Sequence, residues 1–161
     1  MLRVGTVGTS SIMRTIQEAI RLTDGMECRV VYSRTEEQGR AFAAEMGVPE
    51  HCTDYAAMLE RSDLDLIDIA SPNRFHVEQA LAALEHGKHV IVEKPAAVTR
   101  GDVQRLIDAA RANGVYFFEA ITTLFMPQYE ACRLLLPKLG RIEQAHITYA
   151  QYSSRLSLIH I

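Results

Sequence analysis

Short apolar β-type runs alternate with amphipathic helical stretches through about residue 120, and this alternation constrains the fold more than any other feature of the chain. Residues 2–7, 28–33, 64–70, 89–92 and 115–118 read as strands. The stretch between the first two opens near Ser11, places Ile12, Ile16, Ala19 and Ile20 on one helical face, and stops at Asp24-Gly25. Thr35 and Gln38 have capping-box spacing and open a second helix that Gly47 closes. A short helix over 54–60 follows Thr53 as its N-cap. Val77, Ala80, Leu81 and Leu84 mark the next helix, ended by Gly87. Thr99 and Asp102 begin another (Val103, Leu106, Ile107 and Ala110 inward), stopped by Asn113-Gly114. Strands joined by helices run parallel and bury both sheet faces. The expected fold is a Rossmann-type doubly wound α/β sheet over residues 1–120. The aspartates in Leu64-Asp65-Leu66-Ile67-Asp68-Ile69-Ala70 also allow a half-exposed strand there, but the surrounding rhythm favours a third parallel strand.

After Glu119-Ala120 the rhythm changes. A helix is expected from Pro127 to about Leu136, with Pro127 in its first turn. Residues 143–151 then alternate polar and apolar side chains, the pattern of a sheet with one wet face. Residues 121–155 are therefore expected to begin a second domain whose remaining strands are absent.

Charge and cysteine usage exclude several classes. A net charge of −3 with scattered Lys and Arg offers no basic stripe for nucleic acid. No apolar run approaches the ~18 residues that span a bilayer, and no secretory leader is visible. The three cysteines are odd in number and widely spaced, which fits a reducing, cytoplasmic setting without a disulfide framework or a metal site. His86 and His89 are separated by Gly87, a helix end, and do not read as co-ligands.

The candidate chemistry lies in the loops after the strands. Gly5-x-x-Gly8-x-Ser10 sits between a strand and a helix, the context in which backbone amides cradle a pyrophosphate. Gly8, Thr9, Ser10 and Ile12 are the expected contacts. Alone the motif is weak, since small residues also fill turns that bind nothing. The second strand ends in Tyr32-Ser33-Arg34-Thr35 with no acid to hold a ribose 2′-hydroxyl. Arg34 and Ser33 suit a 2′-phosphate and favour NADP, with NAD left open because adenine-stacking arginines occupy the same position. Ser71-Pro72-Asn73 ends the third strand, and His76 follows one turn later, as a cap or packing residue more than a general acid. Glu93-Lys94-Pro95 ends the fourth. In a sheet of order 3-2-1-4-5 the first and fourth strands flank the switch point, so the Lys94 loop is expected to face the Gly8 turn across the crevice. Position alone does not separate a proton-handling lysine from a solvated one. Tyr129, Tyr149 and Tyr152 read as packing residues first and as acids or sugar-stacking surfaces second.

Taken in order, Val4-Gly5-Thr6-Val7-Gly8-Thr9, Tyr32-Ser33-Arg34, Ser71-Pro72-Asn73-x-x-His76, His89-Val90-Ile91-Val92-Glu93-Lys94-Pro95 and Glu119-Ala120 make the chain resemble the glucose–fructose oxidoreductase, inositol dehydrogenase and rhizopine-catabolism (Gfo/Idh/MocA) family. The resemblance implies a dinucleotide-dependent oxidation of a secondary hydroxyl on a sugar, polyol or dihydrodiol, or the reverse reduction. It implies Lys94 as the lysine near the nicotinamide, Glu93 and Pro95 shaping its loop with a cis Lys94-Pro95 bond in prospect, and Ser71, Asn73 and His76 lining the cofactor cleft. It also implies that residues 121–155 begin a truncated second α/β domain with an antiparallel sheet, through which a homo-oligomer is built, and residues 156–161, which break the family pattern, are expected to be a non-native tail. Relatives are roughly twice as long, so this chain is expected to bind cofactor without turning over. Two rival readings stay open: a non-catalytic dinucleotide sensor or co-regulator of the same fold, and a module for another nucleotide such as a CoA-type phosphate.

Overall fold

The structure, a computed structural model, describes residues 1–148. They fall into two compact units, Met1–Ile121 and a second beginning at Thr122. In the first unit, six strands form one sheet: β1 (Leu2–Val7), β2 (Met26–Tyr32), β3 (Glu50–Cys52), β4 (Leu66–Ile69), β5 (His89–Val92) and β6 (Phe117–Glu119). Every ladder is parallel, in the order β3-β2-β1-β4-β5-β6. On one face Ile67, Ile69, Val90 and Val92 pack with Leu81 and Leu84 of α4 (His76–Glu85), Leu106 of α5 (Arg100–Ala112) and Met58 of α3 (Tyr55–Leu59). On the other face Val4 meets Ile20 of α1 (Ser11–Leu22), and Val31 meets Phe42 of α2 (Glu36–Met46). Burial on both faces is what makes these strands solidly apolar.

The helix starts follow the local chemistry. Thr35 accepts from the Gln38 amide and Thr99 from the Asp102 amide, each at an N-cap. Asp54, one residue after Thr53, caps α3 by accepting from the Ala57 amide at 3.0 Å.

Three expectations need correction, and one alternative is closed. The strand β3 was not foreseen: Glu50-His51-Cys52 has no apolar alternation, and only its pairing with β2 defines it. It takes the third place in the order, so the strand beside β1 is β4, and β5 with its Lys94 loop lies one strand further out. The buried face of α1 is Met13, Gln17 and Ile20, whereas Ile12 is 43% exposed. A polar residue turns that face inward, because Gln17 Nε2 donates to the buried Thr6 hydroxyl at 2.9 Å. Finally, all four residues of β4 are buried, Asp68 included, which closes the half-exposed alternative.

In the second unit α6 (Pro127–Leu135) has its proline in the first turn and lies between two 3-10 turns. The expected strand over 143–151 does not form in residues 143–148. A lone strand has no ladder partner to satisfy its amides and carbonyls. Residues 149–151, Tyr149, Tyr152 and the 156–161 segment lie outside the described residues. Among the described residues no helix is long and apolar enough to cross a membrane, and no group of three or more His, Cys, Asp or Glu side chains could hold a metal.

Candidate functional site

The carboxyl ends of β1, β2 and β4 open into one cleft of about 320 Å³. Its floor is the turn between β1 and α1. Gly8 holds φ +114, and a Cβ placed there would lie 2.8 Å from the Ala70 carbonyl oxygen, so β4 approaches the turn as closely as a glycine permits. The chain then enters α1 with extended Ser10 at the N-cap and no side-chain cap bond. The amides of the first helical turn have no intrahelical acceptor, and the positive end of the helix dipole lies with them. An uncapped helix start behind a glycine turn suits an anion.

One wall comes from the end of β2. Ser33 is buried, with its amide donating to Cys52 O at 3.0 Å, while Arg34 beside it is exposed. Among the described residues Arg34 is the only charged side chain in the cleft lining, and no carboxylate lies there. The nearest following acid, Glu36, is engaged by His51 Nε2 at 2.7 Å. The opposite wall is the end of β4, where the Ser71 hydroxyl donates to Gln79 Oε1 at 2.6 Å. Gln79 reaches back from α4 and is itself anchored, since the half-buried Tyr55 hydroxyl donates to its backbone carbonyl at 2.9 Å.

Of the residues singled out from sequence, Gly8, Thr9, Ser10, Ser33, Arg34 and Ser71 line this cleft. Ile12, Asn73, His76, Glu93 and Lys94 do not. His76 is 1% exposed, and its ring lies between two backbone carbonyls, with Nε2 2.8 Å from Ser71 O and Nδ1 2.9 Å from Pro95 O. Its side chain is spent inside the fold, which corrects the expectation that it faces a cofactor. Lys94 is exposed on the same carboxyl edge of the sheet as the Gly8 turn, at the end of β5, and the Lys94-Pro95 bond is cis. The expectation that the strand bearing Lys94 flanks β1 is corrected by the strand order, since β4 stands between them. Gln38, Phe75 and Gln79 line the cleft without having been singled out. Gln38 was marked only as the capping partner of Thr35, and nothing local marks Phe75 or Gln79.

Comparison with known proteins follows this geometry. Residues 2–121 match the oxidoreductase family with an NAD-binding Rossmann fold. The chain is 36% identical to scyllo-inositol 2-dehydrogenase (NADP(+)) IolU of Bacillus subtilis over 96% of its own length and 47% of that protein's. It is 29% identical to trans-1,2-dihydrobenzene-1,2-diol dehydrogenase of Bos taurus, over 99% of the chain and 48% of the relative. Among solved structures, KijD10, a 3-ketoreductase from Actinomadura kijaniata in complex with NADP and TDP-benzene, superposes with a TM-score of 0.80 at 30% identity, covering 85% of this chain and 42% of that one. The chain thus spans about half the length of the curated relatives it matches. Glycine turn, helix start and parallel sheet together agree with the family match, and the chain belongs to the oxidoreductase family built on an NAD-binding Rossmann fold.

Proposed function

We propose that this protein binds NADP(H) in the cleft and serves oxidoreduction of a secondary alcohol or ketone on a sugar, polyol or dihydrodiol. The observation that carries the reading is the cleft itself: a glycine turn, an uncapped helix start and one unopposed arginine at a single sheet edge. Amides of residues 8–12 hold the pyrophosphate, with Thr9 and Ser10 hydroxyls as further donors. Arg34 forks two hydrogen bonds to a 2′-phosphate, and Ser33 stands beside it. Ser71 and Asn73 border the path from the turn toward β5. When bound, the nicotinamide supplies hydride chemistry. Lys94 Nζ gives or takes the proton on the substrate oxygen, from the edge of the sheet that carries the cleft. The substrate class draws support from the relatives, whose names are those of inositol and dihydrodiol dehydrogenases and a 3-ketoreductase.

Titration of the chain with NADPH and NADH tests the cofactor assignment. A charge-assisted bond is worth ~1.5–3 kcal/mol, so NADPH should bind at least about tenfold tighter than NADH. Arg34→Asp should erase or invert that ratio. Equal affinities in the parent chain, with a ratio unmoved by the substitution, would remove the 2′-phosphate from the reading.

A further inference from the structure

The loop that carries Lys94 leaves the sheet after Glu93, whose amide donates to Ile69 O at 2.8 Å. Beyond that bond the strand ladder no longer holds the loop, and Pro95 and Ala96 are held by side chains from other elements. His76 of α4 meets Pro95 O. From the other side Glu119, the last residue of β6, accepts the Ala96 amide on Oε1 at 2.9 Å.

Glu119 is an unusual residue for its place. It pairs in register with Val92, and in a strand that register puts its side chain on the same sheet face as Val92, which is 0% exposed. Phe117, two residues earlier on that face, packs against the apolar core. A half-buried carboxylate there needs a partner. Its one side-chain hydrogen bond among the described residues is the Ala96 amide, and Ala96 is 2% exposed. The carboxylate thus reaches the first amide after Lys94, since Pro95 has none.

We propose that Glu119 is a positioning residue for Lys94: from β6 it fixes the loop after β5 and so sets where the ammonium stands along the sheet edge. The proposal rests on the reading that Lys94 acts at the nicotinamide end of the cofactor. Glu119 does its part through an acceptor oxygen, so removing the charge and removing the acceptor have different consequences.

Amide hydrogen exchange at Ala96 reads the contact directly. Glu119→Leu keeps bulk without an acceptor and should speed Ala96 exchange at least tenfold, while the Gly8 and Ala70 amides within the sheet keep their parent rates. Glu119→Gln retains an oxygen at the same reach and should stay within about threefold of the parent. Glu119→Asp is one methylene short and should behave as the leucine variant does, which preserves the test if leucine does not fold. Parent-like exchange at Ala96 in the leucine or aspartate variant, or glutamine behaving as leucine does, overturns the proposal. A second readout follows the lysine: in chain carrying 13C-methylated lysines, NADPH should shift the Lys94 signal in the parent and in Glu119→Gln. In Glu119→Asp the shift should be at least halved, and an undiminished shift counts against positioning. No response of Lys94 in the parent sinks the role given to Lys94, and the Ala96 rates still judge the contact on their own.

Discussion

Asp68 sits in β4 at 6% exposure, and its Oδ1 has no hydrogen-bond partner among the described residues. Burial first, and then the charge of Glu93, push its carboxyl up to about 7. The unfolded chain releases that proton near the ordinary carboxylate value of ~3.9, while the folded chain keeps it. Folded protein therefore binds more protons between those values, and stability falls as pH rises from about 4 to about 7, then levels. Asp68→Asn should abolish this slope and leave the variant more stable at pH 8 by on the order of 2–4 kcal/mol. Urea unfolding of both proteins at pH 5 and pH 8 measures it, and parallel behaviour of the two would refute it. The opposite trend belongs to Asp65, whose carboxyl is held below the usual range by its hydrogen bonds to the Arg3 guanidinium; its contribution is lost as pH falls through that depressed value. Both aspartates look alike in Leu64-Asp65-Leu66-Ile67-Asp68. Only the fold makes one a surface clamp on Arg3 and the other a buried acid.

At the scale of elements, the turn between β1 and α1 is where local sequence and function meet. Gly8→Ala places a methyl against the Ala70 carbonyl at a φ of +114. Strain of this kind costs on the order of 1–3 kcal/mol, and opening the turn moves the amides proposed to hold phosphate. The variant should lose stability by that amount in chemical denaturation and bind NADPH at least tenfold more weakly. Gly25→Ala is the control: φ is +82 with no atom within 4 Å of the added carbon, so it should cost about 1 kcal/mol and leave affinity unchanged. An affinity loss shared by both variants would mean that the turn at Gly8 has no special part in binding. The caps at Thr35 and Thr99 were legible because an N-cap oxygen and the amide that donates to it lie three residues apart. The strand β3 was not legible, since three residues of Glu-His-Cys acquire strand character only by lying beside β2.

Considered as a whole, the first unit holds every cleft-lining residue, and its apolar core is drawn from Met1–Ile121. A chain ending at Ile121 should fold cooperatively and bind NADPH within about threefold of the 161-residue chain. Far-ultraviolet circular dichroism melts and the same titration check this. Loss of cooperative unfolding, or of binding, would show that the cleft needs the second unit.

Sequence by itself determined what is settled within one turn or one strand: the βα alternation, the glycine turn, the caps at Thr35 and Thr99, and an arginine with no acid beside it at the end of the second strand. These depend on residues a few positions apart, whose geometry the backbone fixes locally. Tertiary structure alone decided the place of β5 two strands from β1, the burial of Asp68, and the partners of the loop after Lys94. The contacts concerned join residues 19, 23 and 62 positions apart, His76 with Pro95, Ala96 with Glu119, and Arg3 with Asp65. Pairings at that separation follow from strand order and register, which no local pattern in the chain specifies.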